Sequence, residues 1–250
     1  MSASDPAVLV IAGTDSSGGA GLARDLRTLR DLGVEALCAV TAVTAQSHSR
    51  VAVLQTLPPE LIRAQIRCAL ESRRVDAIKI GMLGTAAAAE AVAECLAVPL
   101  RVPVVLDPVL RSSSGGVLLD EAGQRTMQAR LFPLTTLLTP NIPEAAVLCG
   151  APPGSRTDPP TLLEWAARLL GQGPRAVLIK GGHGSGPEAA DLLAGAGQTR
   201  WLASARLAGS MRGSGCALAS AIAAELARGE PLEGACWSAR RYVLDLLAQT

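Results

Sequence analysis

Aromatic residues are scarce in this 250-residue chain: three tryptophans, one tyrosine and one phenylalanine make up 2% of it. With 49% hydrophobic residues in total, any core must be built from Ala, Val, Leu and Ile. Small aliphatic side chains suit helices packed closely on a parallel sheet, whose strands read as continuous apolar runs. Charge of one sign is also lacking. A formal net charge of +1 gives no electrostatic basis for binding nucleic acid or an anionic membrane. No apolar run approaches the ~18 residues of a membrane span. The start, Met1-Ser2-Ala3-Ser4-Asp5-Pro6, has no basic stretch, so residues 8–12 are expected as a first strand and not a signal peptide.

Histidine occurs twice, and the six cysteines (Cys38, Cys68, Cys95, Cys149, Cys216, Cys236) form no Cys-x-x-Cys pair. A zinc site or a disulfide framework is therefore not expected. Most of the cysteines are expected as small buried hydrophobes. The pairs Arg73-Arg74 and Arg240-Arg241 are expected on solvated helix faces. No Gly-Lys dipeptide occurs, which excludes a P-loop. Gly19-Ala20-Gly21 is followed by Arg24 where a dinucleotide fingerprint needs a third glycine. The whole reads as a reduced, soluble, cytoplasmic chain.

What is present is an alternation of short apolar runs with longer helix-like segments. Strands are expected at 8–12, 35–40, 77–80, 104–106, 136–139 and 176–179. Helices are expected at 22–32, 59–72, 85–96, 121–131, 142–149 and 161–170, with two more at 215–228 and 232–248. Residues 191–194 and 200–203 fit an antiparallel edge pair, and 151–160 a surface loop. Such alternation with short connections predicts an α/β fold, a parallel sheet with helices on both faces, in one domain. Ligands of open α/β sheets lie beyond the carboxyl ends of the strands, so the residues just after each strand matter most.

The segment Met211-Arg212-Gly213-Ser214-Gly215-Cys216 runs into an alanine-rich helix. Glycines there let successive N–H groups converge at a helix start, which attracts an anion such as a transferring phosphoryl group. The same dipole favours a thiolate at Cys216. A Gly-x-Gly before a helix is also common loop chemistry. The loop Gly13-Thr14-Asp15-Ser16-Ser17-Gly18-Gly19-Ala20-Gly21 follows the first strand and lets backbone approach a ligand, or is simply a helix-leading turn capped by Asp or Ser. Gln46 follows the second, and its amide matches a ring nitrogen beside an amine; a lone Gln is as easily a surface residue. Asp107 and, with Asn141, Glu144 suit Mg²⁺, or they cap turns and helices. Lys180-Gly181-Gly182-His183 puts a cation and a flexible loop where phosphates could lie, and Asp191 is otherwise an edge charge. Together these describe phosphoryl transfer by positioning and electrostatics.

Seven motifs stand in order: 12–21 (AGTDSSGGAG), 41–46 (TAVTAQ), 79–83 (KIGML), 106–109 (LDPV), 139–145 (TPNIPEA), 180–183 (KGGH) and 213–216 (GSGC). Through them the chain resembles the hydroxymethylpyrimidine/phosphomethylpyrimidine kinases of thiamin biosynthesis, in the ribokinase-like superfamily, from about Val8 to its end. The resemblance implies a three-layer α/β/α fold over residues 1–250, with a mostly parallel sheet and an antiparallel edge. It implies two ATP- and Mg²⁺-dependent transfers, first to the hydroxymethyl oxygen and then to the resulting monophosphate. It further implies that Gln46 pairs with the pyrimidine, with Gly13, Asp15, Met82 and Val109 around it. Asp107 and Glu144 correspond to the Mg²⁺ and phosphate-side carboxylates, and Asn141, Lys180 and Asp191 to ATP-side residues. Gly213, Ser214, Gly215 and Cys216 form the anion hole, with Cys216 where other superfamily members carry an aspartate base. A homodimer is implied as well.

Two departures concern positive charge. The position before Gly213 is commonly His and is Arg212 here; the loop after Val109 commonly carries a lysine where Ser113 stands, with Arg111 two residues earlier. Arg212, Arg111 or both are expected to supply the charge that a second transfer needs, unless both are solvated or only the first transfer is retained. Pyridoxal kinase activity is the nearest alternative, disfavoured by Gln46. A non-catalytic binding module would be free to lose Asp107, Glu144, Lys180 or the nest, and all are present.

Overall fold

The computed structural model describes residues 5–47, 50–97, 101–112, 114–152, 154–181, 188–195, 197–207, 209 and 211–249. In chain order its elements are β1 (Ala7–Ala12), α1 (Gly21–Asp31), β2 (Glu35–Val40), β3 (Ala42–Gln46), β4 (Val51–Thr56), α2 (Pro59–Ser72), β5 (Ala77–Ile80), α3 (Ala86–Leu96), β6 (Val104–Leu106), α4 (Glu121–Arg130), β7 (Leu137–Leu138), α5 (Ile142–Leu148), α6 (Pro159–Leu170), β8 (Ala176–Ile179), β9 (Glu188–Gly195), β10 (Gln198–Ala205), α7 (Ser214–Ala227) and α8 (Leu232–Leu247).

Every residue of β1 is buried, and its side chains divide by the two-residue period of a strand. Leu9 and Ile11 enter one core, while Val8, Val10 and Ala12 enter the other. β8 divides in the same way, Val177 and Ile179 against Ala176 and Leu178. A strand apolar on both faces needs cover on both sides. Helices α2 to α6 supply one layer, through Ile62, Ile66, Val92, Met127, Leu148 and Leu169 among others. Helices α1, α7 and α8 supply the opposite layer. The eight-stranded sheet between them runs β10-β9-β8-β7-β6-β5-β1-β2. Six strands are parallel; β9 and β10 close one edge antiparallel. The three-layer expectation holds.

Two local readings need correction. Residues 41–46 are not simply the exit from β2. Ala42–Gln46 is a strand paired antiparallel with β4 in a separate two-stranded sheet, its register shifted by a bulge at Ala45/Gln46. Its apolar alternation is weak, because Val43 and Val53 face outward. Nor are most cysteines buried: Cys149 and Cys236 are, Cys95 and Cys216 are half-buried, and Cys38 and Cys68 are exposed. Cys38 lies on β2, the uncovered edge of the sheet.

One strand residue breaks the apolar rule. Lys79 stands in β5 and is 0% exposed, pointing to the α1/α7 side, where its ammonium donates to Asp25 Oδ2 of α1 at 2.8 Å. Ser220 of α7 donates to Asp25 Oδ1 at 2.8 Å. Burial works against the Lys79 cation, but Asp25 more than offsets it and the ammonium is held charged, its affinity for the proton raised. The network ties one strand to both helices whose N-termini open on the strand ends. Removing one partner of a buried pair strands the other charge, at a cost of about 3–5 kcal/mol. Lys79→Met is therefore expected to lower stability by about that amount in urea unfolding. Adding Asp25→Asn, which keeps an acceptor for Ser220, should recover a substantial part; additive losses would show that the two are not coupled.

Candidate active site

All the parallel strands end at the same edge, and a cleft of about 930 Å³ opens there. Its wall brings together Gly13, Asp15, Gln46, Met82, Asp107, Val109, Asn141, Glu144, Lys180, Asp191, Arg212 and the segment 213–216. These residues come from widely separated motifs of the chain. Of the motif 180–183, Lys180 and Gly181 are described, whereas Gly182 and His183 lie outside the described residues, as does Ser113.

Gly213 is the N-cap of α7 and adopts a left-handed conformation, φ +74°. A side chain there would collide with the carbonyl of Gly19, so both conformation and space require glycine. No side chain caps the helix. Among the described residues the amides of Gly215 and Cys216 make no hydrogen bond, and that of Ser214 makes one long bond of 3.4 Å to Met211 O. Such unspent donors at a helix start form an anion site. A Cβ on Gly215 would stand 3.1 Å from Lys180 Nζ, so the nest opens beside that ammonium.

Cys216 departs from expectation. The helix start does not leave it a thiolate: burial pushes its thiol up to about 11, against the pull of the Lys79 ammonium. Desolvation of the charged form wins. At neutral pH the residue is a thiol.

On the strand ends opposite, Lys180 donates to Asp107 Oδ1 at 2.7 Å, and Thr139 Oγ1 lies 3.3 Å from the same oxygen. Burial draws the Lys180 ammonium down, but Asp107 and Glu144 outweigh it and the net effect is upward. Asn141 and Glu144 form a capping box on α5: Asn141 Oδ1 accepts from the Glu144 amide at 2.8 Å, and Glu144 Oε2 from the Asn141 amide at 2.9 Å. The capping reading of Asn141 is thus correct; it uses the backbone N–H and Oδ1 and leaves the side-chain nitrogen Nδ2 for other partners. Burial raises the Glu144 carboxyl to about 7; Lys180 opposes this and Asp107 adds to it. No cluster of three metal-ligating side chains occurs among the described residues. Two crowded carboxyls facing one cleft nevertheless suit Mg²⁺, which takes one or two carboxylates with phosphate oxygens and water.

The other end of the cleft is bounded by the hairpin β3–β4. Thr14 N–H donates to Ala42 O at 2.9 Å, Thr44 Oγ1 to Thr14 O at 2.8 Å, and the Gln46 amide N–H to Ser16 Oγ at 2.8 Å. The loop after β1 and the hairpin are thereby one unit. Asp15 accepts from Ser17 N and Oγ, from Ala20 N, and from Arg212 at 3.3 Å. Burial works against its charge, but Ser17, Arg212 and the Gln46 side chain together hold the carboxyl below its usual range. Met82 packs its methyl where a Cβ of Gly13 would be, so that pair forms an apolar floor.

Asp191 is committed rather than open. It accepts from the Gly181 amide at 2.7 Å and pairs with the buried Arg240, which also donates to Ala189 O and Ser204 Oγ. Arg240 is therefore not on a solvated face; it is 7% exposed on α8. Sequence reasoning missed it, along with Asp25, Lys79 and Ser220. A signal was present: Asp25 interrupts an apolar helix stripe between Leu22 and Leu29, and Lys79 interrupts an apolar strand.

Comparison with known proteins agrees in kind. The model of the phosphomethylpyrimidine kinase family matches residues 15–250. The hydroxymethylpyrimidine/phosphomethylpyrimidine kinase of Streptomyces coelicolor is 43% identical over 95% of this chain and 87% of its own. The crystal structure of phosphomethylpyrimidine kinase from Clostridium difficile 630 superposes with a TM-score of 0.83 at 33% identity, covering 96% of this chain and 98% of that one. Pyridoxal kinase from Staphylococcus aureus, in complex with AMP-PCP and pyridoxal, gives a TM-score of 0.88 at 29% identity, covering 98% and 88%.

Because its thiol is neutral at pH 7, Cys216 is expected to react with iodoacetamide more slowly than the exposed Cys38 and Cys68, and to gain rate toward pH 11. Site-resolved mass spectrometry of timed alkylation would measure this; preferential modification of Cys216 at pH 7 would contradict a protonated, half-buried thiol.

Proposed function

The chain belongs to the phosphomethylpyrimidine kinase family, and from that membership we propose how its cleft carries out the two transfers that the names of its hydroxymethylpyrimidine/phosphomethylpyrimidine kinase relatives describe. The protein is a phosphotransferase of thiamin biosynthesis. It moves a phosphoryl group from ATP to hydroxymethylpyrimidine and then to the monophosphate. The observation that carries the mechanism is one cleft with two chemically distinct ends: an unspent anion nest beside Lys180, and a hairpin-bounded, partly apolar end holding Gln46.

In this proposal Gln46 pairs with the ring and its amine, Asp15 orients the Gln46 amide, and Gly13, Met82 and Val109 face the ring. Asn141 and Lys180 take the nucleotide side. Asp191 acts there by fixing the Gly181 amide rather than by touching nucleotide. Asp107 and Glu144 would hold Mg²⁺, which when bound neutralises phosphate charge. The amides of Ser214, Gly215 and Cys216 receive the transferring phosphoryl group and stabilise charge that develops on it. Catalysis then rests on positioning and electrostatics, as phosphoryl transfer requires. Residues 1–250 work as one kinase domain, and a homodimer belongs to the same proposal.

Cys216 is placed at the nest but with its proton retained. A neutral thiol that completes an anion hole differs from a general base in its test. Cys216→Ala keeps the backbone amide of the nest and is expected to lose no more than about 10-fold in turnover, the range of one neutral hydrogen bond; a loss of all activity in a folded variant would make it the base.

The decisive assay offers hydroxymethylpyrimidine, its monophosphate and pyridoxal to the enzyme side by side, with ATP and Mg²⁺. Both pyrimidines are expected to be phosphorylated, with the highest kcat/KM among the three. The proposal fails if pyridoxal is preferred or no pyrimidine product appears.

A further inference from the structure

The cleft is lined by five cationic side chains: Lys79, Arg111, Lys180, Arg212 and Arg240. Four of them are matched by a buried carboxylate. Lys79 faces Asp25, Lys180 faces Asp107, Arg212 faces Asp15 and Arg240 faces Asp191. Each pair contributes a local dipole and no net charge. Arg111 differs, for among the described residues no carboxylate lies within ion-pair distance of it.

Its setting is ordered all the same. Arg111 pairs with Val117 in an isolated antiparallel bridge, two residues beyond Val109 at the ring end of the cleft. The turn between is tied by Ser112 N–H to Gly116 O at 2.8 Å and Gly115 N–H to Ser112 O at 2.8 Å. One guanidinium nitrogen donates to Gly115 O at 3.2 Å. A guanidinium carries five N–H donors in a planar fork that matches two phosphate oxygens. The remaining donors and an uncompensated positive charge therefore stand at the mouth of the cleft.

The two acceptors differ in one physical respect. The alcohol is neutral, whereas the monophosphate is close to a dianion at pH 7 and must approach a second polyanion. In the second transfer an oxygen of the monoester forms the new bond to the γ-phosphorus of ATP, the bond from that phosphorus to the β-γ bridging oxygen breaks, and ADP leaves with the electron pair. The attacking oxygen carries no proton, so this step needs cationic stabilisation and no base. We infer that Arg111 is the specificity residue for the second acceptor, holding the monoester phosphate, while Arg212 serves as a strap. Arg212 reaches Asp15 and Ser47 O from the residue before the nest, and so ties the loop after β1 and the hairpin to it. Its charge is already committed.

This inference rests on the proposed kinase activity, and the test separates the two. Wild type, Arg111→Met, Arg111→Lys and Arg212→Met are assayed with hydroxymethylpyrimidine and with its monophosphate, each at two ionic strengths. Arg111→Met should lower the ratio of kcat/KM for monophosphate over alcohol by about 10- to 100-fold, the range of one lost charge-assisted contact at a solvated site. Arg111→Lys should restore the ratio to within a few-fold. In wild type KM for the monophosphate should rise with salt more steeply than KM for the alcohol, and Arg111→Met should remove that difference. Arg212→Met should lower both acceptors together. An unchanged ratio in Arg111→Met, or a ratio that falls in Arg212→Met instead, overturns the assignment. So does a wild type that phosphorylates only the alcohol, an outcome that leaves the kinase reading standing. A wild type that phosphorylates neither overturns the reading itself.

Discussion

Everything at the strand ends depends on one buried ion pair behind them. Lys79 and Asp25 are both fully buried, and with Ser220 they join the central strand β5 to α1 and α7. Those two helices start at the cleft: Gly21 opens α1 and Gly213 caps α7, and both line its wall. A hydrophobic contact between helix and sheet tolerates sliding. A buried, hydrogen-bonded ion pair does not, because any displacement leaves an uncompensated charge. The pair therefore fixes how two helix N-termini meet over the sheet, and an anion site made of backbone amides is only as good as that placement.

The same economy recurs at the cleft wall. Lys180 with Asp107, Arg212 with Asp15, and Arg240 with Asp191 each hold two segments in place while leaving little net charge. A cleft built from free cations would bind phosphate strongly and release it slowly. One built from paired charges presents oriented dipoles, which favour a charge that develops during reaction without clamping the ground state. The raised Glu144 carboxyl fits this picture. Its strain comes from burial beside Asp107, and a divalent cation shared by the two would relieve it.

Much of this was legible in the chain. Alternating apolar runs located the parallel strands and the antiparallel edge, and glycine, carboxylate and lysine residues just beyond them marked the cleft. What escaped was polar residues on apolar faces. Lys79 sits inside an apolar strand and Asp25 on an apolar helix stripe; each alone looks like an error of pattern, and their match is visible only once the topology brings β5 against α1. Arg240 escaped for the same reason, since its partner Asp191 lies 49 positions away on β9. The hairpin β3–β4 was hidden by its composition. Small and polar residues alternate there without contrast, and its outward valines carry no core signal. The state of Cys216 could not be read from a helix start alone, because the dipole favours the thiolate while burial opposes it, and only the depth of the sulfur decides which prevails.

Under the proposed assignment of Gln46, the hairpin also separates substrate choice from chemistry. Gln46 and its supports Ser16 and Thr14 belong to a two-stranded sheet and the loop beneath it, joined to the rest of the cleft wall by Arg212. The nest, Lys180, Asp107 and Glu144 belong to the central sheet and its helices. A change of ring preference can then be absorbed by the small sheet without disturbing the alignment that phosphoryl transfer demands. This is consistent with the closely similar fold of the pyridoxal kinase from Staphylococcus aureus, TM-score 0.88 at 29% identity. Shared architecture therefore says little about which ring is bound. In the proposed reading the discriminating information lies in the few side chains on the hairpin and at the mouth of the cleft, with Gln46 set toward an aminopyrimidine and Arg111 toward the end at which a second phosphate would enter.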